Sequence, residues 1–376
     1  FSTSLFDEDP RREDLHARHL DWWLAQCRQR STGQQWFSGT WAIEINDDFD
    51  NFRDVIDRAL TTGRIDEASE LLGGTIAGFF DGMHSVEVDR VLDQLAVATP
   101  EPAGRVLLAG AFNDIGIGRH VRLAERLEAA RTRSRRDNDT ACEAVATTYQ
   151  GFSSATIDPA QAVALAERGV ELARLVDDPE IVGLALGWAG ATAFIAGDRQ
   201  GALRWLDEAR TQPFAEHSLA HFHCLFAEAF VLLGVGEVDA AEATLDESLH
   251  HLPQAGATRT AVHILKAFWH ARRAEATAIA ERANEALELS LSLGASTQLP
   301  DVALATCELL ELSGHPERAS ELCAALHRQP LTHPLIYHRY RSIRSRLPEH
   351  DAPDHRLSPS ELHGLAMCHL DTVQAE

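Results

Sequence analysis

A short signature returns along the chain at a fixed step. Glycine is followed by alanine five positions on and by an apolar or thiol side chain four further. It occurs at Gly197, Ala202 and Leu206, at Gly236, Ala241 and Leu245, and at Gly314, Ala319 and Cys323. The step from Ala202 to Ala241 is 39, and the same step reaches Ala280 and Ala319 one way and Val163 and Ala124 the other. The column seven positions later reads Val170, Ala209, Ser248, Leu287 and Leu326, with Arg131 the exception. The column nine positions earlier reads Ile115, Ser154, Ala193, Leu232, Ala271 and Leu310. A period in this range is the mark of a repeat architecture in which each unit covers its neighbour's apolar face. Within a unit the apolar positions follow i, i+3, i+4 and i+7, and Ala, Leu, Glu and Arg dominate, so every unit reads as a pair of helices. The small residue on the second helix lets the first approach closely. Gly ends the first helix in a left-handed turn. Where it is missing, Asp158-Pro159 opens the second helix as N-cap and first-turn proline.

The period predicts four stretches. Residues 1–45 hold an N-terminal helix and linker. In it Leu15, Leu20, Trp23, Leu24 and Cys27 face inward, and loops cover 1–10 and about 31–42. Residues 46–104 hold capping helices, in which Gly63 and Ala68 repeat the signature off the regular step. Residues 105–346 hold the repeats. Residues 347–376 hold a proline-rich connector and a last helix opened by Ser358, Pro359 and Glu361. The run from Ile181 to Gly197 carries no charged side chain. Its glycines at 183, 187 and 190 and its charged flanks suit tight helix packing better than a bilayer.

Composition removes several functions. Lys and Arg number 34 against 57 Asp and Glu, a formal charge of −23, and such a surface repels nucleic-acid phosphates. The single lysine, Lys266, follows Ala-Val-His-Ile-Leu, so no phosphate-binding Gly-x4-Gly-Lys loop is encoded. Six widely spaced cysteines without a CxxC pair read as buried reduced thiols in a cytoplasmic protein. The first residue is Phe1, which suggests a piece of a longer polypeptide.

The columns resemble a degenerate tetratricopeptide array: Gly190, Gly197, Ala202, Leu206 and Ala209 match its pattern in one unit, and Ala229, Leu232, Gly236, Ala241 and Leu245 in the next. The resemblance implies a right-handed α–α superhelix whose units are longer than is usual for the family. Units this long resemble the sensor region of STAND-class signal-transduction ATPases, the maltose-operon activator and the actinobacterial LuxR- and AfsR-like regulators among them. The stretch from Asp48-Phe49-Asp50-Asn51-Phe52-Arg53 to Ala59-Leu60 and Gly63 resembles the segment that follows the winged-helix part of such regulators, and the helix bearing Trp22 and Trp23 fits the end of that part. The resemblance implies an ATPase domain upstream of Phe1 and a helical region that senses a ligand or partner. No DNA-binding helix-turn-helix follows residue 358.

In units of this family the first helix lines the inner groove. Those columns hold Asn113, Phe152, Phe194, His223, Phe226, Phe230, Trp269, Arg272, Arg273, Glu308 and Glu311. Aromatic side chains flanked by arginine suit a peptide, a protein helix or an anionic small molecule. His217, His221 and Cys224 share one helical face at a spacing fit for zinc, but no fourth ligand is signalled. Carboxylate runs such as Asp47, Asp48 and Asp50 read as solvated surface. No Gly-x-Ser-x-Gly or comparable nucleophile motif occurs. The expectation is therefore a non-enzymatic sensor without cofactor. The alternatives are a stand-alone interaction scaffold and, more distantly, a metal-dependent enzyme at the His217 cluster.

Overall fold

The computed structural model describes residues 11–31, 36, 38–79, 84–99, 101–116, 119–251, 257–293, 298–327, 329, 334–351, 353 and 357–375. Among the described residues all regular structure is helical, with one isolated antiparallel bridge between Ser38 and Ser218. The protein is all-α. None of these helices is long and apolar enough to cross a membrane.

The N-terminal group comprises α1 (Arg12–Ser31), α2 (Gly39–Asp47), α3 (Phe49–Thr61), α4 (Ile65–Gly74), α5 (Ile76–Phe79) and α6 (Ser85–Ala98). Its core is aromatic. Trp23 packs on Trp41 and Phe52 at 6.1 and 5.3 Å between ring centroids. The Trp41 indole N–H donates to the Gly74 carbonyl at 3.0 Å, which satisfies the one polar atom of a buried tryptophan. Part of the stretch expected as loop is the helix α2, capped by Ser38, whose hydroxyl accepts from the Trp41 N–H. Residues 1–10 lie outside the described residues.

Helix pairs follow: α7 (Gly104–Gly116) with α8 (His120–Asp137), α9 (Thr140–Ser154) with α10 (Pro159–Val176), α11 (Pro179–Ile195) with α12 (Arg199–Arg210), and α13 (Leu219–Val235) with α14 (Val238–His250). Then come α15 (Ala257–Arg272) with α16 (Ala276–Leu293), α17 (Gln298–Leu312) with α18 (Pro316–Leu326), and finally α19 (Pro334–Arg344) and α20 (Pro359–Ala375). From α10 onward the second helices open at Pro159, Arg199, Val238, Ala276 and Pro316. Each first helix packs on its own second helix, on the second helix before it, and on the first helices before and after it, so α7, α9, α11, α13, α15 and α17 form one continuous row. Gly197, Gly236 and Gly314 end first helices at φ of 91°, 92° and 84°, the left-handed region that favours glycine. Asp158 caps α10 by accepting from the Gln161 N–H, with Pro159 in the first turn. The small-residue column is buried at Ala202, Ala241, Ala280 and Ala319. Earlier it slips by one: Ala162 and Leu123 are the packed residues, while Val163 is half-buried and Ala124 exposed.

Helix α11 has no polar face. Every residue of it except Pro179 and Phe194 is buried, which accounts for the uncharged run; a helix that is apolar all round belongs in an interior. Helix α19 packs on its sequence neighbours α17 and α18 and also reaches back to α9 and α11. Helix α20 lies on α16, α17 and α18, and Ser358 and Glu361 exchange the reciprocal bonds of a capping box at its start. Five cysteines are buried, but Cys368, expected inside, is exposed on α20.

Close approach of α9 and α10 depends on Gly151. A Cβ there would lie 2.8 Å from the Ala162 carbonyl oxygen and 2.9 Å from the Ala166 nitrogen, both backbone atoms that cannot turn aside. Gly151→Ala is predicted to destabilise the protein by about 1–3 kcal/mol. Gly364→Ala, exposed within α20 with open space around its would-be Cβ, is predicted to stabilise by about 0.5–1 kcal/mol. Urea denaturation of both variants checks the pair, and equal shifts of one sign would contradict the packing.

Candidate functional site

The first-helix row carries a seam of aromatic rings. Phe112 meets Tyr149 at 4.9 Å, Tyr149 meets Trp188 at 5.6 Å, and Phe152 meets Trp188 at 4.4 Å. Trp188 then meets His223 at 5.6 Å and Phe226 at 6.5 Å. Phe152, His223 and Phe226, expected to face an open groove, are buried in this seam between first helices. Burial holds the His223 imidazole neutral, its pKa pushed down to about 3. Asn113 is also buried, at the other end of the row, where its amide donates to Asp89 of α6 at 3.0 Å. First helices pack on one another along the row, so a column shared by them marks the seam between helices and not an inner surface, and α6 covers the end where Asn113 lies.

A second cluster forms where α19 crosses the row. Phe194 packs on Phe230 at 5.8 Å and on His338 of α19 at 5.9 Å. Glu308 of α17 is 1% exposed and bonds two arginines, Arg272 of α15 and Arg339 of α19, the latter through Nε at 2.9 Å. The Arg339 guanidinium also lies 5.9 Å from the centre of the Phe268 ring. Burial pulls the Arg339 pKa down, and the Glu308 carboxylate opposes that shift. Further along, Arg341 donates to the Thr156 carbonyl at 3.1 Å, a contact across 185 residues of chain, and Arg346 makes a forked pair with Glu311 at 2.6 and 2.7 Å. Trp269 is almost buried, with Arg273 5.0 Å above its ring; Arg273 itself points to Asp239 at 3.0 Å. The structure therefore places two pairs under α19, Phe194 with Phe230 against His338 and Arg272 with Glu308 against Arg339, with Phe230 and Glu308 buried; together they make the wall on which α19 lies. It leaves Trp269 and Arg273 beside it and Asn113, Phe152, His223 and Phe226 out of it.

Sequence reasoning missed the residues of α19 that meet this wall: His338, Arg339 and Arg341. The signal was Arg339, Arg341, Arg344 and Arg346, a basic run in a chain of charge −23.

The zinc-like triple of His217, His221 and Cys224 is not assembled. The Cys224 thiol faces α11 and donates to the Gly183 carbonyl at 2.9 Å, and burial raises its pKa. His217 is half-exposed, in the left-handed region at φ 58°. His221 stacks on Phe214 at 4.5 Å, within 8° of parallel, and lies 4.1 Å from the His251 ring. Its neighbours there are His251 and Glu247, and one ligand atom from each of the three lies within 4.8 Å of the others.

The loop between α12 and α13 is held by Glu180, which is 2% exposed. Its carboxylate accepts from the Ala215 N–H at 2.7 Å and from the Ser218 hydroxyl, which in turn caps α13 by accepting from the His221 N–H at 2.8 Å. The same loop receives the N-terminal group, because the His217 carbonyl accepts from the Gly39 N–H at 2.8 Å. No protein-family model matches this chain, and no curated protein matches it.

Burial raises the Glu180 pKa from 4.5 to about 7. A carboxyl whose folded pKa lies above its unfolded value favours folding in its protonated form. That contribution is complete below the unfolded pKa and is lost as pH rises through the folded one. Glu180→Gln keeps one acceptor for Ala215 and removes the charge. Its stability relative to the parent chain is predicted to rise by about 3 kcal/mol between about pH 4.5 and about pH 8, at about 1.36 kcal/mol per unit. Chemical denaturation at both pH values checks this, and a difference independent of pH would refute it.

Proposed function

We propose that this chain is the partner-sensing helical-repeat region of a larger signalling regulator. On this reading it is a cytoplasmic right-handed α–α superhelix of tetratricopeptide-like hairpins, recurring at the step that separates Ala202 from Ala241. Support comes from the buried small-residue column, the left-handed glycines and the regular opening of the second helices. The wall of Phe194, Phe230, Arg272 and Glu308 takes a basic peptide or helix. Its occupancy shifts an ATPase domain of the same polypeptide between two states, by preferring one pitch of the array.

The observation that carries the reading is α19 itself. A basic helix lies against first helices far from it in sequence, held by a buried carboxylate, an aromatic pair and a carbonyl. The wall thus displays the chemistry a partner would meet: an acidic centre for one arginine and an apolar flank for the turn before it. A stand-alone scaffold would use the same wall. The two readings part on whether partner binding alters nucleotide hydrolysis by the whole polypeptide.

A labelled peptide of residues 334–346 tests the wall. Arg339→Gln with Arg341→Gln loosens the chain's own helix while leaving Arg272 to pair Glu308. This variant is predicted to bind the peptide at about 10–100 µM, whereas the parent chain binds at least tenfold more weakly. Adding Glu308→Gln should remove the binding. Fluorescence anisotropy reads each case, and peptide binding indifferent to Glu308 would defeat the assignment.

A further inference from the structure

We propose that His221, His251 and Glu247 form a binding site for a divalent transition metal ion, zinc foremost, at the joint where the N-terminal helices meet the repeats. The three side chains come from two directions. His221 sits in the first turn of α13. Glu247 and His251 stand four positions apart at the end of α14, so both project from one side of that helix. Their ligand atoms already lie within 4.8 Å of one another. A tetrahedral zinc site with bonds of about 2.0–2.1 Å needs them roughly 3.3 Å apart, a closure that side-chain rotation supplies.

The surroundings suit a metal in three respects. First, Phe214 stacks flat on His221 and restricts the plane of its ring. Second, burial together with nearby cationic groups lowers the pKa of His221 to about 4, so its lone pair is free at neutral pH. Burial lowers that of His251 as well. Third, two imidazoles and a carboxylate favour zinc, cobalt or nickel over magnesium or calcium, and the acidic chain draws cations in. One cation stands against it. Arg210 of α12 lies 3.7 Å from Glu247 and its charge reaches His221, although its guanidinium is shared with Glu228 at 2.7 Å, so a bound metal has to compete with it for Glu247. His217 and His250 complete the nearby titratable groups; the His250 Nδ1 lies 2.8 Å from the Asp246 carbonyl oxygen.

The position gives the site a consequence. Gly39, the first residue of α2, is pressed between the backbone carbonyls of His217 and His251. Its N–H bonds the first at 2.8 Å, and a Cβ would collide with that oxygen and sit 3.5 Å from the second. An ion tying the start of α13 to the end of α14 therefore fastens both jaws of the seat that holds the N-terminal group. This inference does not depend on the peptide-binding wall.

Titration of the chelator-treated protein with zinc chloride in a calorimeter tests it, with cobalt absorption as a second readout. One equivalent is expected to bind at micromolar concentration or tighter. Glu247→Gln, at a solvent-exposed position, should weaken binding about tenfold, and His251→Ala about a hundredfold. Cys224→Ser should leave it unchanged. Zinc should raise the melting temperature of the parent chain and not that of the His251→Ala variant. Absence of binding below about 100 µM, a free energy of roughly −5.5 kcal/mol, overturns the site, as does stoichiometric binding that survives both substitutions.

Discussion

A helix without a polar face has to be covered on every side, and α11 is such a helix. Its cover comes from α9, α10, α12 and α13 and, at one further flank, from α19. Close cover on so many sides needs small residues, and α11 supplies them. A Cβ at Gly187 would lie 3.0 Å from Cys224 of α13, one at Gly190 would lie 2.8 Å from Leu206 of α12, and one at Gly183 would collide with the Phe214 ring. The three glycines thus serve three neighbours. Apolar burial of this kind supplies most of the favourable free energy of folding, and here it also dictates connectivity. A pair of helices whose first member is apolar all round cannot stand alone, so each pair recruits the next.

The charged side chains follow the same geometry. Arg105 pairs with Asp139, Arg174 with Glu208, Arg210 with Glu247, Arg273 with Asp239, Arg272 with Glu308 and Arg346 with Glu311. Each joins positions a little under one unit of the array apart. Most are partly exposed and contribute at most about 1 kcal/mol each. Their value is in register, since the planar fork of arginine matches a carboxylate in a way that lysine does not, which fits a chain with a single lysine. Glu308 differs. A buried charge left without any partner costs about 3–5 kcal/mol; Arg272 keeps Glu308 paired when Arg339 leaves, so α19 can part from the carboxylate at less than that cost.

Much of this was legible in the residues, and the limits of legibility are physical. The regular step found Ala202, Ala241, Ala280 and Ala319 because small residues must recur wherever two helices touch. It slipped by one at Val163 and Ala124 because Pro159 and Arg199, which open α10 and α12, stand one position further apart than the step allows. The first residues of α2 read as loop because the helix is too short for a clear period. The candidate wall was half legible. Phe194, Phe230, Arg272 and Glu308 came from the repeat columns, but those columns could not separate an inner surface from a seam between enclosed helices. The α19 contacts with α9 and α11 were invisible, because they join elements far apart in sequence and obey no local spacing.

One helix bears on both candidate sites. Glu180, in the first turn of α11, holds the loop that seats Gly39, and Phe194, in its last turn, meets His338 of α19. End to end, α11 spans about 25 Å. Packed interiors deform little and shift between discrete arrangements rather than bending smoothly. A partner that displaced α19 would therefore uncover one flank at the last turn of a rigid rod whose first turn holds the loop seating the N-terminal group. If the proposed wall and the proposed metal joint communicate, α11 is the element whose position both would set. The quantity that defines such communication is the change in affinity at one site caused by filling the other, which must be equal in both directions.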